Sequence, residues 1–478
     1  MFVVVASLLA ACSSTTSGPG PSAEPGAETA SEFAGAAPSG SPGTEASAAT
    51  NGSRAGSASE APGRTSTGRS GARGSSAPAP GVLPRGTGTI EIGIHQSENG
   101  RAAAQFGANA LPPSGRRETE AVIKHINANG GLGGKTIVPV FHTSDPLAGS
   151  FDALVEAACR DFTEDHKVFA AMSDALTPSI NLAACMAKRK TPLIWTLEFL
   201  IDDATAKSLA PYLYQPHTLH WSRLGAYVDN LVSTGFLRKG SRIGLIRYDN
   251  GVHKGYAGIF KSRLAKAGLK LTEEAAIGQP RAAANAGAAA AELSSAGLRF
   301  RAAQVDRVIF VPSGAVLPYL FMPGAEANGY RPLYGLSSLD PPDFVSQNVP
   351  PAQLGGARAV AWLADVDTRE PTVRNLPAAQ RCEDAVRKGG GPVGGGEFII
   401  AYCEALFLLK DALDRNPVYT MAGLRQGILG LGRSWRSPRT FATRFSSGWH
   451  DAVAAVRMMR FDTTRGSFLY DGAPIAVP

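Results

Sequence analysis

Three short stretches of the sequence carry side chains capable of binding or catalysis. His217 and His220 stand three apart in PHTLH, Gly134-Lys135-Thr136 repeats the end of a phosphate-binding loop, and Ser173-Asp174-Ala175-Leu176-Thr177-Pro178 sets hydroxyls beside a carboxylate. Two histidines alone make a poor metal site, because a catalytic zinc takes three protein ligands. The glycine run fails as a phosphate loop on two counts. Position 129, where GxxxxGK[ST] needs its first glycine, is Asn. The run also ends a helical pattern and opens an apolar one, whereas a phosphate loop follows a strand and opens a helix. Gly130 and Gly133 read instead as a helix C-cap and turn requiring positive φ. No GxSxG, no HExxH and no GxGxxG after a strand occurs, so the motifs point away from an enzyme, and no cofactor or metal is expected. The third stretch is the informative one. Thr177 as N-cap with Pro178 at the first helical position starts a helix whose free amides and positive dipole end suit a carboxylate without needing a cation.

The elements that must hold such a loop are legible as alternating patterns. Short apolar runs at Thr89–Ile94, Lys135–Phe141, Val168–Met172, Pro192–Thr196, Arg242–Tyr248, Val305–Val311 and Arg331–Leu336 read as strands. Helical stretches separate them near Arg116–Asn129, Phe151–Phe162, Ile180–Lys190, Ser222–Thr234, Gly255–Ala267, Ala282–Ala296 and Val316–Asn328. In the first, Val122 and Ile126 share one face while Arg117, Glu120 and Lys124 face water. Strand-helix alternation with continuous apolar strands predicts an α/β fold of parallel sheets covered by helices on both faces. One sheet cannot hold so many strands. The pattern breaks near Pro211–Pro216, again at Gly355-Gly356 before Ala357–Ala364 and the long helix Glu397–Asp414, and a third time near Val456–Phe461. Three crossings imply two discontinuous doubly wound lobes, 89–216 plus 362–455 and 217–361 plus 456–478, hinged around a cleft.

Composition bounds the rest. The 478 residues carry 47 Lys plus Arg against 40 Asp plus Glu, a formal net charge of +7. The charge is dilute and no Lys/Arg stripe interleaves with aromatics, so nucleic acid is not expected as a partner. No apolar run reaches the ~18–20 residues of a membrane-spanning helix. The segment 13–88 is Ser, Gly, Ala, Pro and Thr with almost no large apolar residue, a composition expected to stay disordered and to reach about 45–50 Å as a linker. Before it, residues 1–12 end an apolar stretch in Leu9-Ala10-Ala11-Cys12, which resembles the lipobox of bacterial lipoproteins. That resemblance implies a signal peptide cut before Cys12 and a lipid on its thiol, although no Lys or Arg follows Met1. The remaining cysteines fall as Cys159 with Cys185 and Cys382 with Cys403. In an oxidising exterior two disulfides are the natural reading, with four buried thiols as the alternative.

The run Ala121–Gly134 (AVIKHINANGGLGG) passing into a strand, with Lys167–Thr196, RIGLIRYD at Arg242–Asp249 and AYCEALFLLKDAL at Ala401–Leu413, resembles the type I periplasmic solute-binding proteins, the branched-chain amino-acid receptors of ABC importers. The resemblance covers about residues 89–470. It implies a ligand held between two lobes beyond the carboxyl ends of the strands, and an ABC permease as partner. Carried onto this chain, it implies a carboxylate contact at Ser173 or Thr177 and a second contact loop at Trp195-Thr196-Leu197-Glu198. In the other lobe it implies an aromatic cover near His253 after Tyr248-Asp249-Asn250. It also implies an acid for a ligand ammonium after a later strand, where this chain has Ser337-Ser338 and its first acid at Asp340. Asp340, Asp249 or Glu198 replaces that acid, or the ligand has no ammonium. The reading is thus an extracytoplasmic, lipid-anchored receptor for a small polar molecule such as an amino acid or related carboxylate or amide. A sensory or cell-envelope module of the same fold, signalling instead of transporting, is the alternative.

Overall fold

Ile90, Ile92 and Ile94 lie buried on one face of the first strand, and on the other face Gly93 lets the Phe162 ring approach so closely that a Cβ would sit 2.8 Å from it. A strand with both faces covered is what a sheet between two helical layers requires. The computed structural model describes residues 88–98, 115–196, 199–219, 221–364, 367–369, 376–392, 397–446 and 451–477. The lipobox with Cys12, the linker up to residue 87, Glu198 and His220 lie outside the described residues.

The first sheet is laid down in order by β1 (Thr89–Ser97), α1 (Arg116–Ala128), β2 (Thr136–Ser144), α2 (Phe151–Arg160) with a π-helical turn at Asp161–Asp165, β3 (Ala170–Ser173), α3 (Asn181–Lys188), β4 (Leu193–Trp195), α4 (Asp203–Leu209) and β5 (Leu213–Tyr214). Its order is β2-β1-β3-β4-β5, all parallel. The chain then builds α5 (Trp221–Ser233), β6 (Ile243–Tyr248), α6 (Gly251–Lys266), β7 (Leu271–Ile277), α7 (Ala286–Ala302), β8 (Arg307–Phe310), α8 (Val316–Ala327), β9 (Leu333–Ser337), α9 (Pro342–Asn348) and β10 (Arg358–Ala361). Among the described residues three helices follow, α10 (Pro377–Gly389), α11 (Glu397–Arg415) and α12 (Met421–Leu431), before β11 (Ala455–Asp462) and β12 (Ser467–Ala476). Cys382, Val386, Leu406, Leu409 and Leu424 of those helices share a core with Ile90, Ile94 and Val122, so they cover the first sheet.

The second sheet has the order β12-β11-β10-β9-β8-β6-β7. It is parallel from β7 to β10, but β10-β11 and β11-β12 are antiparallel. The expectation of a wholly parallel sheet is corrected there. A four-residue turn joins β11 to β12, and the Asp462 carboxylate accepts from the Thr464 and Arg465 amides at 3.0 Å, which forces a hairpin.

The chain passes between the sheets three times, and the passes are tied to one another. Gln215 bridges to Asp451, Leu363 bridges to Thr440, and Arg223 of α5 places Nη1 2.9 Å from Asp451 Oδ1. Both expected disulfides are formed. Cys159–Cys185 joins α2 to α3 and Cys382–Cys403 joins α10 to α11, with S–S distances of 2.08 and 2.02 Å.

Candidate functional site

Sheet register decides which residues meet at the carboxyl ends of the strands. In the first lobe His142, His95, Ser173 and Trp195 are successive partners across β2, β1, β3 and β4. Ser173 and Trp195, expected from sequence to serve one site, are therefore neighbours. The same row adds His95, which the sequence reading missed. Its signal was available, since His95-Gln96-Ser97 are polar residues closing an otherwise apolar buried strand.

His95 is fully buried. Its Nδ1 lies 3.0 Å from Ser173 Oγ and its Nε2 lies 2.9 Å from Ser144 Oγ. Burial, with His142 nearby, pushes its pKa down to about 3. A neutral imidazole offers one donor and one acceptor, and the two hydroxyls supply the complements. The strand end is further locked from α11, where the Tyr402 hydroxyl donates to the His95 carbonyl at 2.8 Å. Thr196 donates both its amide, at 2.9 Å, and its hydroxyl, at 3.0 Å, to the Ser173 carbonyl, so the two contact loops are stitched together. The Trp195 indole stacks on Phe199 at 5.0 Å and sits in the core between the sheet and α2–α3.

Thr177 does not cap a helix. The helix α3 begins at Asn181 with Ile180 as N-cap and no side-chain cap bond, and the Asn181 amide instead donates to Ser179 Oγ at 3.2 Å. The residues after β3 stay irregular because Leu176 donates its amide to Ser97 Oγ at 2.6 Å, which holds the chain against β1 for another turn. Thr177 is buried, and its hydroxyl has no hydrogen-bond partner among the described residues.

In the second lobe Ser337 closes β9 and is likewise buried, its hydroxyl without a partner among the described residues. Asp340 is buried just beyond β9. Its Oδ1 accepts from the Ser313 amide at 2.8 Å, the Ser313 hydroxyl at 2.9 Å and the Ala315 amide at 2.8 Å, which clamps the turn between β8 and α8. Burial pushes its carboxyl up to about 6, against these donors. Asp249 is exposed and lies 3.5 Å from Arg247 Nη1. His253 is buried in the first turn of α6. Its Nδ1 is 3.0 Å from Asn250 Oδ1 and its Nε2 is 3.1 Å from the Pro312 carbonyl, and burial lowers its pKa to about 4. A neutral imidazole carries one N–H, so it donates to only one of these two oxygens.

Hydrogen bonds also join the lobes directly, away from the crossings. The Tyr256 hydroxyl of α6 donates to the Ile201 carbonyl at 2.9 Å, and the Phe151 amide of α2 donates to the Arg281 carbonyl at 3.1 Å. Neither was foreseen, since nothing in a single sequence pairs residues so far apart.

The glycine run is structural, as its reading as a turn requires. Gly130, Gly131, Gly133 and Gly134 all have positive φ. The Gly133 amide donates to Asp414 Oδ1 at 3.0 Å, and Tyr419 and Lys410 bond to the run's carbonyls, so the loop is docked on α11 and its neighbour. His217 pairs with Glu404 at 2.7 Å. Among the described residues no group of three or more His, Cys, Asp or Glu could hold a metal ion.

Residues 89–466 match the family model described as periplasmic binding protein. Among curated proteins no sequence matches at a significant level. Solved structures give the same fold. A substrate-binding periplasmic protein from Ralstonia solanacearum is 17% identical, with a TM-score of 0.59 over 80% of this chain and 100% of that one. The branched-chain amino acid transporter substrate-binding protein LivJ from Streptococcus pneumoniae, in complex with isoleucine, is 17% identical, with a TM-score of 0.57 over 81% and 99%. An ABC transporter solute-binding protein from R. palustris, in complex with benzoate, is 15% identical, with a TM-score of 0.57 over 81% and 97%. At such identities these likenesses speak to fold, and they agree with the two helix-covered sheets and their strand-end loops. With the family model spanning most of its length, the chain belongs to the periplasmic binding protein family.

Proposed function

We propose that this protein is a lipid-anchored extracytoplasmic receptor that closes its two lobes over a small polar molecule, such as an amino acid or related carboxylate or amide, and presents it to an ABC permease. The observation that carries the reading is a pair of buried hydroxyls without partners among the described residues, Thr177 in one lobe and Ser337 in the other, both beside strand ends. A buried polar group left unpaired costs about 1–3 kcal/mol. A ligand that bonds to both removes that cost only when both lobes are engaged, which ties binding to closure.

A carboxylate is the natural class. Isoleucine and benzoate, bound by the two relatives above, share it, and Thr177 and Ser337 offer hydroxyl donors. Binding is favoured over catalysis because His95, which contacts the Ser173 and Ser144 hydroxyls, is held at about 3 and has both nitrogens occupied, which leaves a weak proton acceptor at neutral pH. The family's periplasmic setting, the two disulfides and the Leu9–Cys12 lipobox support a location outside the cytoplasm.

The test is calorimetry of the purified chain against L-leucine, L-isoleucine, benzoate and 4-hydroxybenzoate, with small-angle scattering on any binder. The reading expects a carboxylate that binds and compacts the chain. Binding that leaves the scattering profile unchanged would contradict it.

A further inference from the structure

Three ionisable side chains are withdrawn from water where the chain crosses between the lobes. Glu404 on α11 and His217 in the first crossing are both 0% exposed, with Oε2 and Nδ1 2.7 Å apart. Arg439, 3% exposed, brings Nη1 to 3.3 Å from His217 Nε2 and to 3.3 Å from the Thr196 carbonyl. A guanidinium accepts nothing, so it donates to both. His217 Nε2 is then the lone-pair nitrogen, and Nδ1 carries the proton that faces Glu404. The second Glu404 oxygen accepts from the Ser437 hydroxyl, whose oxygen in turn accepts the Arg439 amide at 3.0 Å. The Arg439 carbonyl accepts the Ala364 amide at 2.7 Å in the second crossing, beside the Leu363–Thr440 bridge.

Arg439 thus touches three bodies. Thr196 and Glu404 belong to the first lobe, His217 to the first crossing and Ala364 to the second. A lobe rotation that moved the crossings against the first lobe would strain these bonds together. A buried ion has no water to replace lost partners, so such a network resists partial breakage.

We propose that Arg439 is a hinge clamp: it holds the first and second crossings to the Thr196 loop, so that the interlobe angle and the position of that loop change as one. Arg439 is a positioning residue here. The inference rests on the receptor reading only in naming Thr196 as a ligand contact.

The test is native-state hydrogen exchange on the full purified chain with no ligand added. It follows the Thr196 amide, bonded to the Ser173 carbonyl, and the Ala364 amide, bonded to the Arg439 carbonyl, against Leu293 in α7 as a remote reference. In the wild-type chain both are expected to exchange through one shared opening. Arg439→Lys keeps the charge but loses the planar fork that spans two acceptors. It is expected to raise exchange at both amides by about tenfold or more and to enlarge the radius of gyration, with Leu293 unchanged. Unrelated opening rates for Thr196 and Ala364 in the wild-type chain overturn the proposal, as does an Arg439→Lys chain that keeps both protected. Should that variant fail to fold, Glu404→Gln takes its place with the same expectation, and the wild-type co-opening decides in either case. Because no ligand is used, a failed clamp leaves the receptor reading standing, and a chain that binds no solute leaves the clamp to be judged on exchange.

Discussion

The Tyr256 hydroxyl in one lobe donates to the Ile201 carbonyl in the other at 2.9 Å, and both residues are buried. Under the proposed lobe closure a bond between the lobes favours the closed state. A typical hydrogen bond is worth about 0.5–1.5 kcal/mol net. Tyr256→Phe is therefore expected to shift the open-closed equilibrium toward open by about two- to twelvefold, read as interlobe distance by fluorescence transfer between labels on the two lobes. An unchanged distance distribution in a normally folded variant would show that the contact does not govern closure.

Stability should fall as pH drops below neutrality. His95 is held at about 3 and His253 at about 4, both below the ordinary 6.5, so between pH 6.5 and 5 the unfolded chain takes up two protons that the folded chain refuses. Each costs about 1.4 kcal/mol per pH unit. Asp340 acts in the opposite sense. Its carboxyl at about 6 lies above the ordinary 3.8, so the folded chain gains a proton there that the unfolded chain lacks. The net is a loss approaching about 1.4 kcal/mol per unit near pH 5, measurable as falling urea midpoints. Asp340→Asn keeps the Oδ1 acceptor but removes the opposing titration, and should steepen the fall to about twice that slope. A midpoint that is flat or rises on acidification contradicts the assignment.

Gly131 sits at φ 66°, and a Cβ there would lie 1.9 Å from the Lys135 carbonyl oxygen, whereas Gly149 has nothing within 4 Å. Gly131→Ala should cost at least about 1–3 kcal/mol through the left-handed backbone and the clash, while Gly149→Ala stays within about 0.5 kcal/mol. Equal thermal midpoints for the two variants would remove the turn from the account of why α1 ends where it does.

The disulfides close loops with sequence separations of 26 and 21. Chain-entropy reasoning gives each about 3 kcal/mol. Reduction of the purified chain should lower its unfolding midpoint, and replacing both cysteines of either pair with serine should reproduce part of the loss. A reduced chain as stable as the oxidised one would make the pairs incidental to stability.

The sequence legibly announced the buried elements, because β1, β3, β4, β6, β8 and β9 are covered on both faces and so read as continuous apolar runs. It concealed the two edge strands of the second sheet. The edge strand β7 carries Glu273 and Glu274, and the half-exposed edge strand β12 contains Pro474, so neither shows a buried strand's pattern. Ser173, Thr196 and Ser337 could be placed at strand ends because strand-end loops follow from strand positions. The misplaced helix start at Thr177 came from trusting a Thr-Pro pair, which Ser97 overrides from another strand. Tyr256 and the Arg439 cluster were out of reach because their meaning lies in partners dozens to hundreds of residues away, whereas the polar close of β1 at His95-Gln96-Ser97 carried a signal that went unused.

The most direct test of binding between the lobes is mass spectrometry of small molecules released by denaturing the purified chain, compared with the Thr177→Val, Ser337→Ala double variant. Removing unpaired buried hydroxyls should leave the empty fold as stable as before, or more so, while stripping the ligand of contacts in both lobes. The account predicts a carboxylate-bearing molecule released from the wild-type chain and depleted in the folded double variant. A wild-type chain that releases no small molecule, or a double variant that retains it equally, would contradict the account.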